Sequence, residues 1–446
     1  DSLSLMREKD DEHNDSAYFY DKITHAHAYN DVKGTTNATT GNANTIVGNY
    51  DVTVGERNTI KGNENSTKGN SNVITGDLNI TSGDKNKVVA KNSSTIGNVN
   101  SITGDYNKTV GEKNTVTGYD NSTTGNLNRV KGNENSTLGD KNTVKGENNT
   151  STGKLNSVEG KDNFVAGRAN ANIGDNNVTD GIYNKVNGND NLASGRSNDV
   201  NGSNNSVSGL VNRVEGNLNT VDGTDNKVFG KNNIASGKNN IVNGDNTTSN
   251  GRDNEVSGNN SVAYGNENIV KGDKNTAIGK SNDVIGNNSY ASGNGNAVSG
   301  EKAIGSGIEN KVTGDNSLAY GRANEINGDK SSVLGADNKI NGNKNLALGN
   351  ENAVNGDKNT TLGNQNRVTG KENSTLGDKN TVKGENNTTS GKLNRVEGKD
   401  SYVAGRANAN IGDNNVTDGI YNKVNGNDNL ASGRSNDVNG SNNSVS

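Results

Sequence analysis

A glycine stands at every seventh position from Gly34 to Gly440, with the single exception of Ala90. No insertion or deletion interrupts this register, and the chain between the glycines repeats Asn-x-Val-x-Gly, as in residues 184–188 and 422–426. An enzyme fold needs loops of varied length, whereas a fixed short period is typical of a solenoid in which each coil packs only on its neighbours. The spacing therefore predicts a solenoid over residues 34–446.

The heptads alternate between two kinds, and this alternation sets the length of one coil. In one kind the central residue is apolar and branched, and in the other it is small or hydroxylated, from Thr53 to Thr137 and later at alanines such as Ala193, Ala235 and Ala347. Each heptad holds one short strand, so the fold class is all-β: a parallel β-roll with 14 residues and two strands per coil. Large and small ladders then face each other inside. The predicted core ladder includes Val186, Val200, Val214, Val228, Val242 and Val256.

Glycine and asparagine have separate roles in this prediction. Corner glycines such as Gly188, Gly195 and Gly202 allow a positive φ or a close backbone approach where a strand ends. The recurring asparagine is expected to stack on itself from coil to coil, with each amide bonded to the next.

A long internal duplication supports the same coil length. Residues 133–208 recur at 371–446, and the offset of 238 residues is a whole number of 14-residue coils but not of 21-residue coils. Residues 34–446 correspond to about 29 such coils. The second copy stops in mid-repeat at Ser446, which predicts that the roll continues beyond this segment.

Composition excludes several function classes. Only 26% of residues are hydrophobic, a fraction also typical of disordered chains, but disordered chains do not keep a strict register. There is no Cys, and the three His are confined to the first 27 residues, so we expect no enzyme, no metal and no cofactor. A net charge of −5 provides no basic stripe for nucleic acid, and no apolar run predicts membrane insertion.

Some repeats resemble a known family. Residues 345–349 (Asn-Leu-Ala-Leu-Gly), 317–321 and 275–279 are similar to the head repeats of YadA-like trimeric autotransporter adhesins, which also run in fourteens. The resemblance covers about residues 34–446 and implies a left-handed parallel β-roll, with three chains side by side. The chain departs from that family in its asparagines and in its valine-rich strands, and it contains no neck, stalk or membrane-barrel segment.

The outward positions of the small-centre strands predict self-association. They form an apolar stripe, although Asp180, Asp222, Asn250 and Asp418 interrupt it, and scattered surface hydrophobes are the alternative explanation. A homotrimer or a filament contact would cover such a stripe. The candidate interface residues are Tyr264, Ile278, Leu318, Tyr320, Leu334, Leu346, Leu348, Leu362 and Leu376.

Residues 1–33 differ in kind from the repeats. They hold the only Met, all three His and an aromatic cluster, and we interpret them as a cap on the solenoid or as a junction arm that pairs with the next subunit of a filament. His25 and His27 would share a strand face, but two histidines without a third ligand favour a structural role over a metal site.

Three functions fit these features. The first is an extracellular, cell-surface adhesin or adhesive fibre, whose repetitive face binds a host surface, a matrix protein or another cell multivalently. The second is a structural filament assembled end to end through residues 1–33. The third is an ice-binding solenoid, which ranks last because the threonines from Thr53 to Thr137 are expected to point inward.

Overall fold

The computed structural model describes residues 4–10, 14–20 and 27–446, and within these residues every regular element is a β-strand. The predicted fold class is confirmed. The chain is an all-β parallel β-solenoid of about 30 coils, each with about 14 residues and two short strands. None of the described residues belongs to a helix of the length and apolarity that a membrane crossing needs.

Each of the two compact units contains two parallel sheets, in which a strand pairs in register with the strand 14 residues away. Val186 pairs with Val200 in one sheet, and Ala193 pairs with Val207 in the other. We call the first the valine sheet and the second the small-centre sheet, after the residues at their strand centres. The chain divides into two compact units, residues 1–224 and 225–446, and both units contain both sheets.

In the first unit the valine sheet has the strands Asp31–Lys33, Thr45–Val47, Thr59–Lys61, Val73–Thr75, Lys87–Val89, Ser101–Thr103, Thr115–Thr117, Arg129–Asn133, Thr143–Glu147, Ser157–Lys161, Ala171–Ile173, Lys185–Asn187, Asp199–Asn201 and Arg213–Asn217. The small-centre sheet of that unit has the strands Ala38–Thr40, Val52–Val54, Ser66–Lys68, Ile80–Ser82, Ser94–Ile96, Lys108–Val110, Ser122–Thr124, Ser136–Asp140, Thr150–Lys154, Phe164–Arg168, Val178–Ile182, Leu192–Arg196, Ser206–Leu210 and Thr220–Thr224.

In the second unit the valine sheet has the strands Lys227–Lys231, Ile241–Asn243, Glu255–Ser257, Ile269–Lys271, Asp283–Asn287, Ala297–Glu301, Lys311–Thr313, Glu325–Asn327, Lys339–Asn341, Ala353–Asn355, Arg367–Lys371, Thr381–Glu385, Arg395–Lys399, Ala409–Ile411, Lys423–Asn425 and Asp437–Asn439. The small-centre sheet of that unit has the strands Ile234–Lys238, Thr248–Arg252, Val262–Asn266, Thr276–Lys280, Tyr290–Asn294, Ile304–Ile308, Leu318–Arg322, Ser332–Ala336, Leu346–Asn350, Thr360–Leu362, Ser374–Asp378, Thr388–Lys392, Tyr402–Arg406, Val416–Ile420, Leu430–Arg434 and Ser444–Val445.

The terminal segment forms a separate antiparallel sheet. Its strands are Ser4–Asp10, Asn14–Tyr20 and His27–Ala28, and Leu5 pairs with Phe19 while Tyr20 pairs with His27. His13 and His25 lie outside the described residues. The cap and the junction arm therefore both stay predictions for residues 1–33.

Alternation along each strand places one narrow core between the sheets. The central residue and the asparagine two positions before it point inward, and the residues between and after them point outward. All six residues of the predicted core ladder, from Val186 to Val256, are buried. Thr53 to Thr137 are also buried, and their hydroxyls find no hydrogen-bond partner.

Buried asparagines join successive coils through both ends of their amides. Asn184 Oδ1 accepts one hydrogen bond from the backbone N–H of Asn198, at 3.0 Å, and another from the side-chain Nδ2 of Asn198, at 3.1 Å. Asn198 Nδ2 in turn donates to the carbonyl oxygens of Ser194 and Gly209. Because amide and carbonyl groups are both satisfied inside the core, this ladder holds the coils together without a large apolar interior.

The corners explain the glycine spacing. Gly188, Gly195 and Gly202 have φ values of 131°, 105° and 133°, and a Cβ on Gly188 would lie 1.8 Å from the carbonyl oxygen of Gly202. The sequence did not reveal a second feature: the residue two positions after the glycine is left-handed as well. Even β-branched residues take this conformation, as at Val99 (φ 61°) and Val211 (φ 59°).

Two kinds of residue break the core pattern. Asn172 and Asn410 occupy central positions of the valine sheet, are buried, and have no partner for either amide atom. Asp51 occupies an asparagine position of the ladder, where its Oδ1 accepts two hydrogen bonds from Asn65 and its Oδ2 has no partner. Burial raises the pKa of the Asp51 carboxyl, although the hydrogen bonds from Asn65 oppose that shift.

Candidate interaction face

The outward positions of the small-centre sheet in the second unit nearly lack charge. From Ile234 to Ser444 they carry serine, threonine, alanine, valine, isoleucine, leucine, tyrosine and one asparagine, and Asp418 is the only charged residue among them. We call this surface the low-charge face. A long surface of this kind on a polar protein is typical of an interaction site.

The opposite surface of the same unit is strongly charged. Its outward positions include Lys227, Glu255, Lys271, Asp283, Lys311, Glu325, Lys339, Arg367, Lys383, Arg395, Glu397, Lys423 and Asp437. Neighbouring coils pair opposite charges, since Glu325 contacts Lys311 at 3.6 Å and Lys339 at 3.2 Å. Such exposed pairs contribute little stability, and their charged groups remain in contact with water. The two sides of the unit therefore have different chemistry.

All nine residues of the predicted interface lie on the low-charge face. Five of them, Tyr320, Leu334, Leu348, Leu362 and Leu376, hold the same position on consecutive paired strands, and we call this row the leucine stripe. Tyr320 is 58% exposed and Leu376 is 56% exposed, while Leu348 and Leu362 are partly covered by their neighbours. Tyr264 pairs with Ile278 in the same row, and Leu318 and Leu346 belong to the parallel row two residues earlier.

Short hydroxyl side chains form much of that earlier row. Thr248, Thr276, Thr360 and Thr388 each stand one residue before a buried strand centre, and Ser332, Ser374 and Ser444 hold the same position. These residues are not among the strand-centre threonines, Thr53 to Thr137, on which the sequence-based assessment of ice binding depends. Counting one position outward from each centre would have found them in the sequence.

The described part of the chain contains no metal-binding group of side chains. Among these residues, no group of three or more His, Cys, Asp or Glu side chains is placed to hold a metal ion. The hollows are open surface grooves, such as the one lined by Lys339, Asn341, Ala353, Asn355 and Arg367. The absence of an enzyme activity stays a prediction.

A family comparison identifies the repeat. The model described as the grass antifreeze beta roll matches residues 158–258, 230–321, 286–391 and 363–446, which together span more than half of the chain. The match is to this family and not to the YadA-like head repeats that the sequence resembles. No curated protein matches the chain. The chain belongs to the grass antifreeze beta-roll family.

Proposed function

We propose that the protein binds ice through the low-charge face of its second unit. One observation carries the proposal: this face presents two in-register rows of hydroxyl and aliphatic side chains with a single charge, Asp418. The antifreeze description of the matching family supports the same function.

The chemistry of ice favours such a face. Ice is an uncharged lattice of water, so charged side chains, which keep their own hydration shells, would hold its surface away. Short hydroxyl and methyl groups can instead order water at their surface and join it to the lattice. Strands about 4.8 Å apart repeat these groups at a spacing close to the repeat of oxygen atoms in ice. A rigid repeat also presents them without an ordering cost at binding.

The inward threonines do not weigh against this proposal. Thr53 to Thr137 are buried, as the strand pattern predicts, and an ice face built on them is excluded. The low-charge face uses different residues, one position before or after each strand centre, and these include Thr276 and Thr388. The inward orientation of Thr53 to Thr137 therefore does not apply to the residues of the low-charge face.

A matched pair of substitutions tests the proposal. Thr388 and Thr381 are both exposed, each is the first residue of its strand, and they lie on opposite sides of the same coil. We expect Thr388→Lys to reduce thermal hysteresis and inhibition of ice recrystallisation, because it places a hydrated charge in the face. Thr381→Lys should leave both activities unchanged. Equal activity of the two variants, or inactivity of the wild-type protein, would refute the proposal.

The adhesin and filament functions rank below ice binding. Neither gains support from the family match, which describes an antifreeze repeat. An extracellular location remains part of the proposal. A folded protein that is inactive on ice but adheres to surfaces or matrix proteins would restore the adhesin.

A further inference from the structure

The leucine stripe is poorly suited to an ice face. Its five large side chains stand on consecutive coils, whereas the coils on either side of it carry Ser306 and Ser390 in the same row. Bulky leucines project beyond serine and threonine, so the stripe forms a raised apolar ridge on the low-charge face. In liquid water such a ridge favours a partner that covers it.

We infer that the ridge pairs with the same ridge of a second copy, about a two-fold axis at Leu348, and that this dimer competes with ice for the low-charge face. The inference rests on the proposed function. Rotation about an axis parallel to the strands sets Leu348 against itself, Leu334 against Leu362, and Tyr320 against Leu376. Apolar side chains therefore face apolar side chains along the whole row, in the isologous arrangement of a two-fold interface.

Charges beside the ridge fit this arrangement. Two residues beyond Tyr320 and Leu376, at the same corner of their coils, stand Arg322 and Asp378. The rotation brings Arg322 of one copy opposite Asp378 of the other, and it does so twice. Arg322 uses Nη2 on Asp337 at 3.1 Å, and its other N–H groups can still donate. Asp378 accepts from Asn364 through Oδ1, which leaves Oδ2 for a further donor.

Parallel copies fit less well. Facing ridges on parallel copies would set Asp378 opposite Ser374 of the other copy, two residues from Glu372, and like charges at that corner oppose association. The antiparallel dimer has its own cost, since Lys330 approaches Lys358 and Lys344 approaches its own copy on the axis. Lys358 already pairs with Glu372 at 2.9 Å. A closed trimer needs parallel chains. The two Arg322–Asp378 pairs, which parallel copies lack, therefore favour an antiparallel dimer over the trimer that the sequence predicts.

Charge reversal in the full-length chain tests the dimer. We expect wild-type protein to reach dimer mass in multi-angle light scattering as its concentration rises. Arg322→Asp and Asp378→Arg should each weaken association by about tenfold, because two symmetry-related pairs become like charges. The double variant should recover it. Arg434→Asp, at the same corner several coils away and opposite the neutral Asn266, is the control and should not change the mass.

Activity measurements separate this inference from the proposed function. At concentrations where wild type is dimeric, Arg322→Asp should show more ice activity per mole, and the double variant should return to the wild-type value. A wild-type monomer at every concentration, a trimer, or single variants that associate like wild type would overturn the dimer and leave ice binding standing. A dimer with the expected charge dependence, but without ice activity in any variant, would overturn the proposed function alone.

Discussion

Two buried asparagines that lie two residues apart should respond to valine with opposite signs. Asn172 is 1% exposed, pairs with Val158 and Val186 on the neighbouring strands, and leaves both amide atoms without partners. A buried polar group without a partner costs about 1–3 kcal/mol. Asn172→Val removes that cost and completes the valine ladder, so we expect stability to rise by about 1–3 kcal/mol.

Asn170 provides the contrast because its amide is fully used. Its Nδ2 donates to the carbonyl oxygens of Ala166 at 2.7 Å and Gly181 at 2.9 Å, and its Oδ1 accepts the backbone N–H of Asn184 at 3.0 Å. Valine at this position would remove these three hydrogen bonds and leave the buried backbone N–H of Asn184 without this acceptor. We therefore expect Asn170→Val to destabilise the surrounding coils by about 3 kcal/mol or more.

Hydrogen exchange measured by mass spectrometry suits this comparison. Unfolding of a long repeat array need not be two-state, whereas exchange reports the local opening free energy of individual coils. Peptides that cover residues 158–200 should exchange more slowly than wild type in Asn172→Val and faster in Asn170→Val. The same substitution at Asn410, in the duplicated segment, should repeat the first result. Destabilisation by Asn172→Val comparable with that by Asn170→Val would refute the reasoning.

Three further predictions concern substitutions in the first unit. Asp51→Asn should stabilise the first unit at neutral pH but not below pH 3.8, the ordinary pKa of this carboxyl. Because the pKa of Asp51 is raised in the folded state, the wild-type protein loses stability as the pH rises above that value. Thermal melts of both proteins across this pH range test the prediction. Val211→Asn should raise the melting temperature by an amount that corresponds to roughly 0.5–1 kcal/mol of stability, because asparagine tolerates the left-handed φ of 59° better than valine. An unchanged melting temperature would contradict this explanation. Val214→Asp should lower the free energy of unfolding by several kcal/mol in denaturant titrations, because it buries a carboxylate. Arg213→Asp, on the surface, should change that free energy by less than about 0.5 kcal/mol. Equal losses would mean that the strand faces are reversed.

The sequence predicts the coil because the coil depends on local alternation. Each glycine, asparagine and valine contacts its equivalents 14 residues away, so the period alone fixes the pairing. The left-handed residue two positions after each glycine is harder to predict, because Val211 and Leu218 occupy it as readily as Asn204. At these positions the backbone geometry of the corner overrides the conformational preference of the individual residue. The function is harder still to predict, because the resemblance rests on glycine-spaced repeats with a small central residue, which several solenoids share.

The division between inner and outer positions explains why one fold can carry such different surfaces. Inward asparagine, valine and alanine fix the spacing of the coils, and the outward residues have no part in that ladder. The outward rows can therefore change charge and size without disturbing the repeat, which is why charged pairs on one sheet coexist with a nearly uncharged face on the other. Within the low-charge face the same freedom allows the leucine stripe to differ from the serine and threonine rows beside it. Functional prediction for this fold thus depends on the residues just before and just after each strand centre, and not on the centres that identify the repeat.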